Sequence, residues 1–210
     1  MKKVFAFVAA TVLFAGIANA QLGINVGFAP QTYKATVTSG STSSTNTMNL
    51  NGFFAGVNYN INLTGDLGVS LGVNYRINMG SEETTVLGVT AKDTYNQSLV
   101  DVPILFNYGL KLSDALKLSV FAGPTINFAL SGKTTSTYTV LGTETTTETD
   151  WYGDNTDMKK FDLGATVGVN LQYNGIRFFG GYNLGLLNTY DADNVTRKGS
   201  NWFIGLGYSL

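Results

Sequence analysis

The sequence predicts an all-β protein, an eight-stranded antiparallel up-and-down transmembrane β-barrel preceded by a cleavable signal peptide. Three observations predict this fold. Apolar residues alternate with small or polar ones along eight segments, and tight turns alternate with long polar connections between them. Only 13% of the 210 residues are charged, yet no long apolar run follows the first 20 residues. A transmembrane barrel distributes its lipid-facing surface along the chain in this way.

The N-terminus has the three parts of a secretory signal peptide. Two lysines follow Met1, residues 4–17 carry no charge, and Ala18-Asn19-Ala20 matches a signal peptidase site. The apolar run is shorter than the ~20 residues that a membrane-spanning helix needs, which argues against the alternative of an uncleaved anchor helix. We expect cleavage between Ala20 and Gln21. Residues 1–20 are then the signal peptide and residues 21–210 a single barrel domain.

Charge and composition exclude several classes of function. Loss of two lysines with the leader leaves 11 basic residues against 14 acidic ones, a net charge of −3 without a basic stripe for nucleic acid. The chain has no cysteine, so an exported form folds without disulfides. It has no histidine, which removes the usual triads and zinc ligands. We therefore predict no catalytic residue, no cofactor and no metal site.

Eight segments alternate with a period of two residues. In Leu67–Met79 the odd positions are apolar and the even ones are small or polar, so one face of a strand is dry. Thirteen residues exceed the ~5–6 of an average soluble strand and cover the ~9–11 that cross a bilayer. The other predicted strands are Leu22–Phe28, Phe53–Leu63, Val100–Leu110, Leu116–Leu130, Phe161–Tyr173, Ile176–Leu186 and Trp202–Leu210.

The connections alternate in length. Residues 64–66, 111–115 and Asn174-Gly175 are tight turns, and Asn-Gly is the strongest two-residue hairpin signal. Long loops rich in Ser, Thr, Asn and Asp are predicted between them. In outer-membrane barrels the short turns are periplasmic and the long loops extracellular, so an even strand count puts both termini in the periplasm. The predicted loops are residues 31–49, 80–97, 131–159 and 187–200.

A soluble β-sandwich or lipocalin-like calyx has the same period. Its polar face would meet water and be rich in Lys and Glu. Here that face is mostly Gly, Asn, Ser and Thr, as in Gly68, Ser70, Gly72 and Asn74. Small residues suit the inside of a narrow barrel, so the membrane barrel is favoured.

The outward aromatic residues are predicted to form two girdles at the membrane interfaces. Counting from the tight turns places one band near each boundary with an aliphatic middle, as barrel proteins have. The lower band is Tyr59, Tyr108, Tyr173 and Tyr208. The upper band is Phe53, Tyr75, Phe128, Phe161 and Trp202.

The charged residues inside the predicted strands all fall on the inward face. A transmembrane barrel requires this, because a lipid-facing Arg or Lys at mid-bilayer lowers its stability by ~2–4 kcal/mol. Arg76 and Asp101 are expected at similar height and could form a buried ion pair, either as a gate or, as we favour, as structural neutralisation. Arg177 should face Gln172 across a hairpin. The predicted lumen charge network is Arg76, Asp101, Lys117, Asp162 and Arg177.

Bulky rings among inward glycines indicate a filled interior. An eight-stranded barrel has a lumen just wide enough for side chains to fill, and aromatic rings can cover strand glycines. A plugged lumen argues against a diffusion pore. The inward rings are Phe54, Phe121, Phe179 and Phe203.

Four short motifs resemble a known family. They are LVDVPILFNY at Leu99–Tyr108, VFAGP at Val120–Pro124, FDLG at Phe161–Gly164 and YNLGL at Tyr182–Leu186. In this order the chain resembles the porin-family, PorT-like "outer membrane protein beta-barrel domain" proteins of Bacteroidetes-type bacteria, with a general likeness to the OmpX and OmpA barrels. The resemblance implies fold and outer-membrane location more than activity.

Three functional interpretations remain open. The first is a non-enzymatic barrel of a Gram-negative outer membrane with a structural or surface-interaction role through its long loops. The second is a porin-like narrow channel for ions or small solutes. The third, a membrane enzyme such as an acyltransferase or protease, is disfavoured by the lack of histidine. Expected partners are outer-membrane lipid, the barrel-assembly machinery and periplasmic chaperones during biogenesis, and an extracellular ligand of the loops.

Overall fold

A computed structural model describes residues 20–86, 89–140, 143–153 and 156–210. The predicted signal peptide lies outside these residues except for Ala20, with which the first strand begins. No helix in the described part of the chain is long and apolar enough to cross a membrane. The strands are β1 Ala20–Phe28, β2 Gln31–Ser39, β3 Thr42–Thr64, β4 Leu67–Val86, β5 Val89–Lys111, β6 Leu116–Val140, β7 Thr143–Asp150, β8 Phe161–Tyr173, β9 Ile176–Gly185 and β10 Val195–Ser209.

The ten strands build a closed antiparallel ring of eight barrel strands. β1 and β2 together make the first barrel strand. They are interrupted at Pro30, because proline lacks the N–H that a continuous ladder needs. β7 precedes β8 in the sixth barrel strand, and among the described residues it pairs only with β6. The ring closes because β1 and β2 both pair with β3 on one side and with β10 on the other. The predicted all-β fold, an eight-stranded antiparallel barrel, is confirmed.

The two ends of the barrel differ. At one end, which we call the turn end, the chain reverses at residues 65–66, 112–115 and 174–175. Asn174 and Gly175 have φ angles of 46° and 85°, as the two-residue hairpin predicted for Asn-Gly requires. Both ends of the described chain also lie here, since Leu210 donates its N–H to Leu22.

At the opposite end, the hairpin end, the segments predicted as long loops are mostly paired strands. β2, β3, β4, β5 and β6 continue far into the segments 31–49, 80–97 and 131–159 as paired strands, and β10 begins at Val195 within 187–200. Threonine explains the difference, because its branched side chain favours extended backbone and its hydroxyl pairs across strands. Such pairs are Thr36–Thr45 at 2.9 Å, Thr85–Thr90 at 3.0 Å and Thr137–Thr146 at 3.2 Å.

Four of these extensions form one projecting sheet. Glu82 of β4 is in register with Asp93 of β5, Asp93 with Ser136 of β6, and Ser136 with Thr147 of β7. Every residue of β7 is exposed. Residues 80–86, 89–98, 131–140 and 143–150 therefore make a four-stranded sheet, here called the projecting sheet.

The outer surface of the ring carries an apolar belt. Val57, Val120, Val169 and Leu206 are each about half exposed, although they lie in the middle of their strands. A soluble sandwich or calyx would bury its dry face, whereas this barrel turns that face outward and its amides and glycines inward. The soluble alternative is therefore wrong.

Candidate functional site

The lumen is crossed by a chain of four phenylalanine rings. Ring centroids are 6.2 Å apart between Phe54 and Phe179, 6.3 Å between Phe179 and Phe203, and 6.3 Å between Phe203 and Phe121. This spacing is within the 4.5–7 Å range of attractive aromatic pairs. The rings form a connected chain inside the lumen.

Each ring lies over the glycine directly opposite it on a neighbouring strand. The register pairs are Phe54 with Gly27, Phe121 with Gly168, Phe179 with Gly205 and Phe203 with Gly181. A Cβ atom at Gly168 would lie 2.3 Å from the Phe121 ring. The glycines are thus required by the rings that cover them.

Arg76 and Asp101 form a buried ion pair at the hairpin side of the lumen. The Arg76 side chain is 3% exposed and that of Asp101 13%. Arg76 donates through Nε at 2.8 Å and Nη2 at 3.2 Å to the two carboxylate oxygens, and through Nη1 to Gln31 at 2.5 Å. A bidentate geometry of this kind is the strongest that a guanidinium makes.

The other predicted lumen charges do not join this pair. Lys117 folds over Gly109, whose Cβ would lie 2.2 Å from its Cε. Arg177 is in register with Gln172 but donates to Asn58, and its Nε makes no hydrogen bond among the described residues. Asp162 accepts the Leu187 N–H at 3.2 Å. The five charges therefore occupy separate positions, with only Arg76 and Asp101 in contact.

A cap of aromatic and polar side chains covers the lumen at the hairpin end. Its apolar cluster is Tyr33, Leu50 and Trp151, and Trp151 Nε1 donates to Thr134 at 2.7 Å. Gln97 connects the cap to the wall, since it accepts the Tyr33 hydroxyl at 2.8 Å and donates to the Tyr152 hydroxyl at 2.7 Å. We call Tyr33, Gln97, Trp151, Tyr152 and Arg197 the cap.

Arg197 is the charged centre of the cap. Its guanidinium carbon lies 3.8 Å from the ring centroid of Tyr33 and 5.8 Å from that of Trp151. Arg197 is only 5% exposed, so these cation–π contacts lie away from water. Burial raises the pKa of Tyr152 to about 12, the neighbouring Tyr33 adds to the rise, and the Gln97 hydrogen bond and the Arg197 charge oppose it.

A larger and a smaller cavity are lined by inward-facing residues of the barrel. The larger, about 190 Å³, is lined by residues from the turn at Asp66 up to Arg76, and includes Lys117 and Arg177. The smaller, about 30 Å³, lies under the cap and is lined by Tyr152 and Arg197 among others. Arg76 lines both, so its ion pair with Asp101 lies at their boundary.

The residues predicted as aromatic girdles are on the outer surface. Tyr173 and Tyr208 lie close to the turn end, whereas Phe53 and Trp202 lie towards the hairpin end. Phe28, which is not among the predicted girdle residues, lies between Phe53 and Trp202. Its ring centroid is 5.2 Å from that of Phe53 and 5.5 Å from that of Trp202.

Sequence reasoning missed the cap because all five of its residues lie in segments predicted as loops. One signal could have found its charged member. Arg197 has the same parity as Gly199, Asn201 and Phe203, so extending the alternation of the last strand upward puts it on the inward face.

Solved structures to which the chain is similar include three outer-membrane proteins. The chain is 16% identical to Ail, the attachment invasion locus protein of Yersinia pestis, over 91% of this chain and 99% of that one, with a TM-score of 0.42. It is 11% identical to neisserial surface protein A, over 91% of this chain and 99% of that one, with a TM-score of 0.43. It is 12% identical to the outer membrane protease OmpT of Escherichia coli, over 92% of this chain and 97% of that one, with a TM-score of 0.45.

No curated protein sequence matches the chain. A sequence model of one family, described as "Outer membrane protein beta-barrel domain", matches residues 14–191, which is most of the chain. The closed eight-stranded ring, the outward apolar belt and the inward polar face agree with this match. The chain therefore belongs to the outer membrane protein beta-barrel domain family and is a transmembrane β-barrel of the outer membrane.

Proposed function

We propose that this protein is a non-enzymatic outer-membrane barrel that presents the projecting sheet outside the cell as an interaction surface. The observation that carries the proposal is the size of this sheet: four paired strands rise beyond the apolar belt, where short turns would suffice to connect the barrel. Long structured connections in compact domains usually serve a function.

The charge of the projecting sheet indicates the kind of partner. It carries six acidic side chains, Glu82, Glu83, Asp93, Glu144, Glu148 and Asp150, against two basic ones, Lys92 and Lys133. The free edge strand β7 contributes three of the acids and is fully exposed. A partner with a basic surface complements this field.

The proposed orientation puts the hairpin end outside and both termini in the periplasm. The chain has no cysteine, so single cysteines report exposure cleanly. Thr147→Cys on β7 should react with an impermeant maleimide on intact cells. Asp66→Cys at the turn end should react only after the outer membrane is permeabilised. The reverse pattern of labelling would overturn the proposed orientation.

Shortening one hairpin tests the interaction role. Joining Thr135 to Glu148 through Asn-Gly removes the tip of β6 and β7 but keeps the cap, because these two residues are register partners. The matched control joins Ala35 to Asn46 in the β2–β3 hairpin, which are also partners. We expect adhesion of expressing cells to protein-coated surfaces to fall in the first variant and not in the second. Equal adhesion at equal barrel content would contradict the proposal.

A narrow channel is the second candidate, and the 190 Å³ cavity reaching the turn end favours it. The phenylalanine chain and the cap oppose it, since the rings narrow the lumen and the cap covers its hairpin end. In planar bilayers we expect no defined conductance from the intact protein. Discrete, ion-selective steps would establish the channel instead.

The expected biological partners follow from the family and the fold. Outer-membrane lipid covers the apolar belt, and a chain of this kind depends on periplasmic chaperones and the barrel-assembly machinery to reach the membrane. Depletion of the assembly machinery should leave the protein unfolded, which gel migration with and without heating would detect.

A further inference from the structure

Arg197 is a buried cation that lacks an ionic partner among the described residues. Its side chain forms no ion pair there. Nη1 donates a weak hydrogen bond to Thr189 at 3.3 Å, and the Tyr152 hydroxyl lies close enough to the guanidinium for Arg197 to lower the pKa of that tyrosine. Nη2 is buried and makes no hydrogen bond. A charge taken out of water is costly unless it is paired, and aromatic rings near the guanidinium compensate only part of that cost.

The cavity beside Arg197 is small and predominantly cationic. Of the charged residues that line its roughly 30 Å³, four are basic, Arg76, Lys159, Lys160 and Arg197, and one is acidic, Asp162. Arg76 is paired with Asp101 and Lys159 with Asp191. Asp162 offsets one of the two remaining cations, so the four cations and three carboxylates leave one positive charge in excess around the cavity.

We propose that this cavity binds one small monovalent anion, of the size of chloride or bromide, in contact with Arg197 beneath the cap. A volume of this order is enough for an anion of this size. The anion supplies the counter-charge that the buried guanidinium otherwise lacks, and Nη2 is the donor that meets it. The site is independent of the proposed surface role, because it lies under the cap and not on the projecting sheet.

Tryptophan fluorescence gives a direct test, since the chain has two tryptophans and one of them, Trp151, belongs to the cap. In a Trp202→Phe background, Trp151 is the single reporter, with its ring 5.8 Å from the Arg197 guanidinium. The folded protein in detergent is titrated with sodium bromide, using sodium gluconate to hold the ionic strength constant. We expect saturable quenching by bromide that chloride displaces. Purely linear, collisional quenching would overturn the proposal.

Arg197→Gln tests the role of the guanidinium, and Lys198→Gln is its matched control. Lys198 is the next residue of β10, is exposed, and loses the same charge when substituted. We expect half-saturation to need at least about tenfold more bromide in Arg197→Gln, because a charge-assisted hydrogen bond is lost. Lys198→Gln should behave as the parent does. Equal saturation in both variants would contradict the assignment.

Two further measurements keep the test decisive. If Arg197→Gln fails to fold, replacing chloride by gluconate in the unmodified protein should lower its melting temperature reversibly, and an unchanged melting temperature counts against the site. In Asp162→Asn, which removes the one carboxylate that lines the cavity, the saturable quenching should persist. Saturation that appears only in Asp162→Asn would mean that this carboxylate takes the place of the anion, and would refute the proposal.

Discussion

Arg76 holds Asp101 through two hydrogen bonds, at 2.8 and 3.2 Å, across two neighbouring strands of the lumen wall. The Arg76 side chain is almost fully buried, so this pair differs from the surface pair of Lys111 and Asp114, whose side chains are 65% and 102% exposed. Burial determines the consequence of losing a partner, because an uncompensated charge is costly only where water cannot reach it.

We expect Asp101→Asn to destabilise the folded barrel by about 3–5 kcal/mol, since it leaves the Arg76 charge buried and unpaired. Urea titration of the protein in lipid vesicles, followed by tryptophan fluorescence, measures the change. Asp114→Asn is the control and should leave the unfolding midpoint unchanged.

Removing both charges separates pairing from packing. Arg76→Met with Asp101→Leu should recover most of the stability lost in Asp101→Asn, as apolar replacements of buried ion pairs often do. If the double variant is less stable than the single one, the pair does more than neutralise charge, and the gating interpretation of Arg76 gains support.

The rings over glycines lead to a second prediction. A Cβ at Gly168 would lie 2.3 Å from the Phe121 ring and 2.4 Å from the Gly180 carbonyl oxygen, so Gly168→Ala must displace a ring or a strand. Overpacking of this kind costs roughly 1–3 kcal/mol. The same urea titration should show this loss of stability.

Gly180→Ala is the control for that substitution. Gly180 is on the outer surface of β9, and its Cβ would meet nothing closer than 3.1 Å. A loss of stability as large as that of Gly168→Ala would show that strand glycines matter for backbone reasons alone and not because of the rings that cover them.

The membrane-crossing part of the fold could be predicted from the sequence because each strand is constrained on both faces. In Leu67–Met79 the lipid demands apolar side chains outward and the lumen demands small or polar ones inward, so the period is visible. Beyond the belt both faces meet water. The threonines at positions 85, 90, 137 and 146 continue the strands, but their composition is that of a loop.

The cap could not be predicted for a different reason. Its contacts join residues distant in sequence: Tyr33 with Gln97, Gln97 with Tyr152, and Tyr33 with Arg197. Such contacts depend on where the hairpins end and how the chain between β7 and β8 returns to the wall. The Arg76–Asp101 pair could be predicted because both residues belong to regular strands, along which the distance from the tight turns can be counted.

The cap should restrict access to the hairpin end of the lumen. Thr189 is 4% exposed, and its hydroxyl accepts from Arg197 Nη1 at 3.3 Å and donates to the Arg197 carbonyl oxygen at 3.0 Å beneath the cap. We expect Thr189→Cys to react slowly with a water-soluble maleimide, and Trp151→Ala to raise that rate by roughly tenfold or more, because loss of the indole favours local opening.

Thr147→Cys on the exposed strand β7 reports whether the effect is local. Its reaction rate should be the same with and without Trp151→Ala. A rate at Thr189→Cys that is already equal to that of Thr147→Cys would show that the cap does not close the lumen.

Tyr152 ties the stability of the cap to alkaline pH. Its pKa is raised by burial from the ordinary tyrosine value of 10.0 to about 12. Below pH 10 the hydroxyl is neutral in both the folded and the unfolded cap, so its contribution to stability is fully present. Between pH 10 and 12 the unfolded form loses its proton first, and the folded cap is destabilised progressively as pH rises.

We expect labelling of Thr189→Cys, corrected for the rate of the exposed Thr147→Cys, to increase across this interval. In Tyr152→Phe the hydroxyl is absent and this increase should be smaller; an identical pH dependence in both proteins would exclude Tyr152 as its source.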